Sequence, residues 1–230
     1  MTQPVLLITG GSTGIGAATA RQAVANGYRV VLAARTASKL DALVAELGGE
    51  HKALAVACDV TDKASVQAMV DTTLDQFGQI DAVFANAGMG GKPGGFCAAD
   101  TDVWKDMILT NVYGVGLTIQ CCAAALKASR GHLLITGSAA GRATIAGSMY
   151  SATKWAVSAI GYGVREELRG TGIRVTLIEP GMVDTPFFDE HPEHALKDRD
   201  VAASVMYALS QPASVDVNEI LIRPTPAVDD

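Results

Sequence analysis

Val5-Leu6-Leu7-Ile8-Thr9-Gly10-Gly11-Ser12-Thr13-Gly14-Ile15-Gly16-Ala17-Ala18-Thr19-Ala20-Arg21 begins the chain with an apolar run, a glycine-rich turn and a helix-forming segment. The run is apolar on successive residues, which suits a strand covered on both faces. In the turn, a glycine can take φ > 0, and its missing Cβ lets backbone approach a pyrophosphate. A further glycine lets the helix pack close to the strand, while the helix N-terminus presents N–H groups and partial positive charge to phosphate. The spacing is GxxxGxG, so the common GxGxxG fingerprint is not matched literally. A plain strand-to-helix turn is the alternative, and the position at the head of a βαβ unit favours the phosphate loop. Gly10, Ser12, Thr13, Gly14, Ile15 and Gly16 are the expected phosphate-side contacts.

The same rhythm continues outward. Strand-like runs are expected at Val5–Thr9, Arg29–Ala34, Ala53–Cys58, Ile80–Ala85, His132–Thr136, Arg174–Ile178 and Val217–Ile222, with helices near 14–26, 37–47, 62–77, 102–129, 148–170 and 199–210. Alternating β and α elements of this kind imply a doubly wound Rossmann-type α/β fold, a seven-stranded parallel sheet flanked by helices. No Pro/Ser-rich linker or repeat interrupts it, so one domain is expected over residues 1–230. Two stretches break the rhythm, 88–100, with five glycines between Gly88 and Gly95, and 180–198, polar and Pro-containing. Ligands in open α/β sheets sit beyond the carboxyl ends of strands, so both are expected to wall a pocket.

Composition removes other classes. The chain has 230 residues, 49% hydrophobic and 18% charged, which argues against disorder. The 24 glycines lack a three-residue period, and no continuous apolar window suggests a membrane span. A net charge of −6 argues against nucleic-acid binding through a diffuse basic surface. Met1-Thr2-Gln3-Pro4 has no basic leader character. Cys58, Cys97, Cys121 and Cys122 have no CxxC spacing, and they are read as reduced, mostly buried thiols of a cytoplasmic protein.

The second strand ends Ala33-Ala34-Arg35, where such folds place an acid that binds the adenosine 2′-OH of NAD. An Arg suits a 2′-phosphate instead, so NADP(H) is the expected cofactor, with NAD(H) disfavoured. The alternative is a solvated Arg at the head of the next helix. Tyr150 and Lys154 are four residues apart on a predicted helix and share a face. A nearby Lys⁺ favours phenolate, which makes the pair an acid/base unit, although a surface Tyr–Lys pair looks the same in sequence. Ser138 follows the fifth strand, and Thr136-Gly137-Ser138-Ala139-Ala140 is not the GxSxG of a serine hydrolase. None of His51, His132, His191 and His194 has a triad context. His191-Pro192-Glu193-His194 is a weak candidate for a metal, and no metal is expected.

Taken in order, these motifs identify a resemblance to the short-chain dehydrogenase/reductase family across nearly the whole chain. It is carried by Thr9–Gly16, Asp59-Val60, Asn86-Ala87-Gly88, Asn111, Ser138, Tyr150-Ser151-Ala152-Thr153-Lys154, and Pro180-Gly181 followed by Thr185. The tail Val217–Pro224 further resembles a branch containing NADP-dependent carbonyl reductases and hydroxy-acid dehydrogenases. The resemblance implies that Tyr150 exchanges a proton with a ketone or alcohol and that Lys154 lowers its pKa and binds the nicotinamide ribose. It implies that Ser138 orients the substrate oxygen and that Asn111 holds a water relaying protons to Lys154. Asp59 and Val60 would line the adenine pocket, Asn86, Ala87 and Gly88 would sit beside the cofactor, Pro180, Gly181 and Val183 would contact it, and Thr185 would reach its carboxamide or phosphates.

The substrate is expected to be a small carbonyl compound or alcohol, walled by Met89, Phe96, Ala139, Ala140, Met149, Gly181, Met182, Phe187 and Phe188. Arg142 could meet a substrate carboxylate, which would favour a 3-hydroxy acid, or it could be a solvated Arg. The helix over 112–128 is apolar on several faces, so it is buried by neighbours or by a second copy. The resemblance implies a homodimer or homotetramer. A non-catalytic NADP-binding regulator and a nucleotide-sugar epimerase or dehydratase are the rival readings. The regulator should lack Tyr150, Lys154 or Ser138, and the epimerase would need a substrate domain that the residues after Gly181 leave little room for.

Overall fold

A computed structural model describes residues 3–188 and 190–226, so Met1, Thr2, the C-terminal four residues and position 189 of the second irregular stretch lie outside the described residues. In chain order the elements are β1 (Val5–Thr9), α1 (Gly14–Ala25), β2 (Arg29–Ala34), α2 (Ala37–Glu46), β3 (Ala53–Ala57), α3 (Lys63–Phe77), β4 (Ala82–Ala85) and α4 (Gly95–Ala98). They continue as α5 (Thr101–Ile108), α6 (Gly114–Ser129), β5 (His132–Thr136), α7 (Met149–Glu167), β6 (Arg174–Pro180), β7 (Val183–Asp184), β8 (Leu196–Lys197), α8 (Asp198–Ser210) and β9 (Glu219–Ile222).

Seven parallel strands take the order β3-β2-β1-β4-β5-β6-β9. Both faces are covered, which explains the unbroken apolar runs. Val5 and Leu7 of β1 enter the core beneath α3, α6 and α7, whereas Leu6 and Ile8 enter the core beneath α1, α2 and α8. After β3 the chain returns to lay β4 against β1, so the direction of winding reverses at the β1–β4 pair. The crevice at the carboxyl ends of these two strands is where a doubly wound fold binds ligand.

Strand ends moved by only a few residues: Ile80 and Val217 fall outside β4 and β9, and β6 runs on to Pro180. Two differences affect the crevice. The helix expected over 102–129 is interrupted by a π-helical stretch, Leu109–Tyr113, which turns Asn111 inward. The stretch over 180–198 contains a small parallel pairing, Val183 with Leu196 and Asp184 with Lys197, too short to leave a periodic signal. The run Thr101–Ser129 is in fact long and apolar enough to suit a bilayer. Here it is a core helix, with Met107, Val115, Leu117, Cys122 and Leu126 buried. Cys58, Cys121 and Cys122 are buried and Cys97 is exposed, and all four thiols are free.

Candidate active site

The glycine loop takes its shape from close approach. A Cβ on Gly10, which sits at φ +65°, would lie 2.9 Å from Ala87 Cα, and one on Gly16 would lie 2.3 Å from the Gly10 carbonyl oxygen. Thr13 precedes α1 without a side-chain cap, and the first turn carries no acid, so its N–H groups face the crevice free for an anion. Asn86 fixes the opposite wall, with Nδ2 donating to the carbonyls of Thr9 and Gly10 at 3.1 and 3.3 Å. The Thr9 hydroxyl accepts from the Asn86 and Ala87 N–H groups at 3.0 and 3.1 Å.

The resulting cleft has a volume of about 410 Å³. It is lined by the expected Gly10, Ser12, Thr13, Gly14, Ile15, Arg35, Asp59, Val60, Asn86, Ala87, Gly88, Pro180, Gly181, Val183 and Thr185, together with Ser138, Tyr150 and Lys154. Gly16 lies beneath the lining as a packing glycine, because its missing side chain is what admits the Gly10 carbonyl. Arg35 is exposed at the tip of β2, with Thr36 beside it on the same wall. Asp59 accepts from the N–H and hydroxyl of Thr61 at 2.9 and 2.8 Å, which holds its carboxyl below the usual range.

Ser148 caps α7 by accepting from Ser151 N–H at 3.0 Å, fixing the helix start two residues before Tyr150. Lys154 is buried one turn on, with Nζ 5.7 Å from the centroid of the Tyr150 ring and donating to the Thr136 carbonyl at 2.8 Å. Burial lowers its pKa to about 8. Burial raises the Tyr150 phenol, and the Ser138 hydroxyl pulls it back down. Ser138 is itself buried, and its hydroxyl accepts from Ala140 N–H at 3.1 Å. Asn111 is buried, with Nδ2 donating to the Met89 carbonyl and to Thr153 Oγ1 and Oδ1 accepting from Met89 N–H. A Cβ built on Gly88 would lie 3.3 Å from Asn111 Oδ1 and 3.9 Å from Lys154 Nζ, so both atoms border one small space.

A second cavity of about 720 Å³ opens on the other side of Ser138 and Tyr150. Ala139, Ala140, Met149, Gly181, Met182, Phe187 and Phe188 line it as expected. Tyr150 meets Phe187 edge-on at 5.7 Å, and a Cβ on Gly90 would lie 3.0 Å from the Phe187 ring, so the two irregular stretches meet over the cavity. Met89 lines the first cleft, where Asn111 holds both its backbone groups. Two expectations are corrected. Phe96 is more than half exposed and packs on Trp104 outside the cavity lining. Arg142 neither meets the cavity nor is simply solvated, because Glu179 and Glu219 hold its guanidinium. Among the residues that line these cavities, Cys58, Ile145 and Arg223 were not singled out as pocket residues from the sequence, and Lys92 was covered only by the stretch 88–100. Among the described residues no three His, Cys, Asp or Glu side chains converge as a metal site, and His191 pairs with Asp184 at 2.6 Å.

A family model described as short chain dehydrogenase matches residues 4–195. An uncharacterized oxidoreductase of Staphylococcus saprophyticus is 37% identical, over 96% of this chain and 97% of that protein. An alcohol dehydrogenase from the archaeon Thermococcus sibiricus, solved with 5-hydroxy-NADP, superposes with a TM-score of 0.88 at 30% identity, covering 99% of each chain. A 3-ketoacyl-(acyl-carrier-protein) reductase from Brucella melitensis, solved with NADH, gives a TM-score of 0.90 at 27% identity, covering 96% of this chain and 97% of that one.

Proposed function

The chain belongs to the short-chain dehydrogenase/reductase family, and from that premise we propose that it interconverts a small ketone or aldehyde and the corresponding alcohol, favouring NADP(H) over NAD(H). The observation that carries this reading is the position of Ser138 and Tyr150. Both border the glycine-walled cleft and the apolar cavity, so a substrate in one can meet a cofactor in the other.

The residues fit a dinucleotide. The close Gly10–Ala87 approach makes a cradle that a Cβ would fill, and the uncapped α1 N-terminus offers donors to its phosphates. Arg35, after an Ala34 that offers no carboxylate, suits a 2′-phosphate. When bound, the nicotinamide supplies or accepts the hydride. The Tyr150 phenol gives its proton to the carbonyl oxygen during reduction and takes it back during oxidation. Burial keeps that phenol protonated at neutral pH, the form that reduction needs. Ser138 would donate to the same oxygen, and Lys154, which places a cation beside the Tyr150 ring, would bind the nicotinamide ribose. Asn111 completes the proton path from its place beside Gly88 and Lys154.

The test is a panel of carbonyl compounds followed through loss of NADPH and NADH absorbance, repeated with Tyr150→Phe. Reduction of at least one small ketone or aldehyde, abolished in the variant, supports the reading. Tight NADPH binding with no reduction across the panel favours a regulator.

The same reading takes residues 1–230 as one dinucleotide-binding domain and the assembly as a homodimer or homotetramer. The outer face of α7 supports the assembly, because Trp155 and Tyr162 are exposed there. Light scattering on the purified protein checks it.

A further inference from the structure

Among the described residues, the charged side chains that line the cavity beyond Tyr150 are Lys92 and Arg223, in a chain whose net charge is −6. Among the described residues neither cation makes an ion pair, in contrast to Arg142, whose guanidinium two glutamates occupy. Arg223 is also placed by backbone. β9 pairs Ile222 with Pro180, and Gly181 N–H donates to the Ile222 carbonyl at 2.7 Å. A Cβ on Gly181 would lie 3.2 Å from Arg223 Cγ, so the arginine stem packs closely across this glycine. Gly181 directly follows Pro180, whose carbonyl accepts from the Ser138 hydroxyl at 3.4 Å. The Arg223 stem thereby lies at the strand end next to Ser138, and Lys92, exposed like Arg223, joins the lining from the glycine-rich stretch after β4.

Unpaired cations lining an otherwise apolar cavity suit a substrate whose carbonyl end is uncharged and whose far end is an oxyanion. The planar fork of Arg matches carboxylate or phosphate oxygens, and Lys adds a point charge. We propose that Arg223, assisted by Lys92, selects carbonyl substrates bearing a carboxylate or phosphate group a few bonds from the reacting carbon. This rests on the oxidoreductase reading for the reacting end and adds the chemistry of the other end.

The experiment uses matched pairs, levulinate with its methyl ester and dihydroxyacetone phosphate with dihydroxyacetone, titrated calorimetrically into the protein saturated with NADP⁺. The proposal expects at least one anion to bind about 10-fold or more tightly than its neutral partner, with the preference shrinking as salt is added. The pair that shows the preference distinguishes carboxylate from phosphate. Arg223→Met should remove most of the preference, bringing the two members of each pair to within about 3-fold, Lys92→Met should reduce it less, and Arg223→Lys should restore part of it. Equal binding of every pair overturns the proposal, as does a full preference retained in a folded Arg223→Met. The salt series on the unaltered protein decides the matter even where a variant fails to fold. NADPH turnover of the four compounds by the same protein preparations, without NADP⁺, separates the two readings. Turnover of the uncharged ketones without any charge preference sinks the anion subsite alone, and preferential anion binding without turnover sinks the chemistry alone.

Discussion

The guanidinium of Arg142 closes on the carboxylate of Glu179, with Nε donating to Oε1 at 2.9 Å and Nη2 to Oε2 at 2.6 Å. Glu179 is fully buried. Its Oε1 also accepts from Ser158 Oγ at 3.1 Å, and that hydroxyl lies 3.2 Å from the Lys154 carbonyl. A Cβ on Gly137 would lie 2.8 Å from Glu179 Cγ, so the carboxylate sits between the strand that precedes Ser138 and the helix that carries Tyr150 and Lys154.

Removing Arg142 leaves Glu179 as an uncompensated buried charge. Arg142→Met should therefore destabilise the protein by about 3 kcal/mol, the lower end for a broken buried pair because the arginine side is one-third exposed. Thermal unfolding of the single variants and of Arg142→Met/Glu179→Met measures it. The double variant should recover most of the loss, since no charge then remains buried. A single variant as stable as the parent would show that the pair contributes nothing.

Lys154 combines a functional and an energetic prediction. Burial lowers its folded pKa from the usual 10.5 to about 8. The unfolded chain therefore binds more protons between those pH values, and stability rises with pH across that window. Below pH 8 the cation is buried at full cost, so Lys154→Met should raise stability at pH 7, by about 3 kcal/mol for a 2.5-unit shift at 1.36 kcal/mol each. It should also lower turnover by about 10²–10⁴. Ketone reduction by the parent should fall above pH 8 as the cation is lost, and the variant should lack that inflection. The optimum for alcohol oxidation should move upward in the variant. Calorimetry and pH–rate profiles of the two proteins decide both points.

The proposed preference for NADP(H) rests on one exposed side chain, Arg35. Arg35→Ala should reduce kcat/KM for NADPH about 10- to 100-fold, in line with loss of charge-assisted bonds to a phosphate, and leave NADH nearly unchanged. Initial rates with each cofactor measure this. Equal efficiency with the two cofactors in the parent, unaltered by the substitution, would remove Arg35 as the reader of the 2′-phosphate.

What the sequence revealed and what it hid follow from the range of the interactions. The glycine loop, Ser138, Tyr150 and Lys154 were legible because each is placed by its own strand end or helix turn, where a few neighbouring residues set the geometry. The fate of Arg142 was not legible, since it depends on Glu179 and Glu219, which are 37 and 77 residues away. Arg223 is brought to the cavity by the docking of β9 beside β6, with its stem packed against Gly181. Asn111 was found by its motif, yet the π-helical turn that points it inward has no compositional mark beyond the glycine that follows. Phe96 was assigned to the pocket by proximity in sequence, and its stack on Trp104 outside the cavity lining overruled it.

Acid should unfold this protein through His132. The ring is buried in the sheet, with Nε2 2.7 Å from Thr176 Oγ1. That hydroxyl donates to the Val217 carbonyl, so it accepts from the histidine, which assigns the Nε2–H tautomer. Nδ1 then has no partner among the described residues, and a proton added there would be buried without an acceptor and near the cation of Arg174. Burial first, and Arg174 second, lower the pKa to about 3 from the usual 6.5. The unfolded chain binds the extra proton across that interval, so stability is complete above pH 6.5 and is lost progressively as pH falls toward 3. A shift of 3.5 units corresponds to about 4–5 kcal/mol at 1.36 kcal/mol each, a large share of a typical domain's stability. His132→Gln keeps a side chain that can donate to Thr176 and removes the titration. Urea unfolding at a series of pH values should show a steep slope in the parent between pH 6 and about 4 and a shallower one in His132→Gln. Parallel slopes would place the acid sensitivity elsewhere, in carboxylates such as Glu219 that ion pairing holds below their usual range.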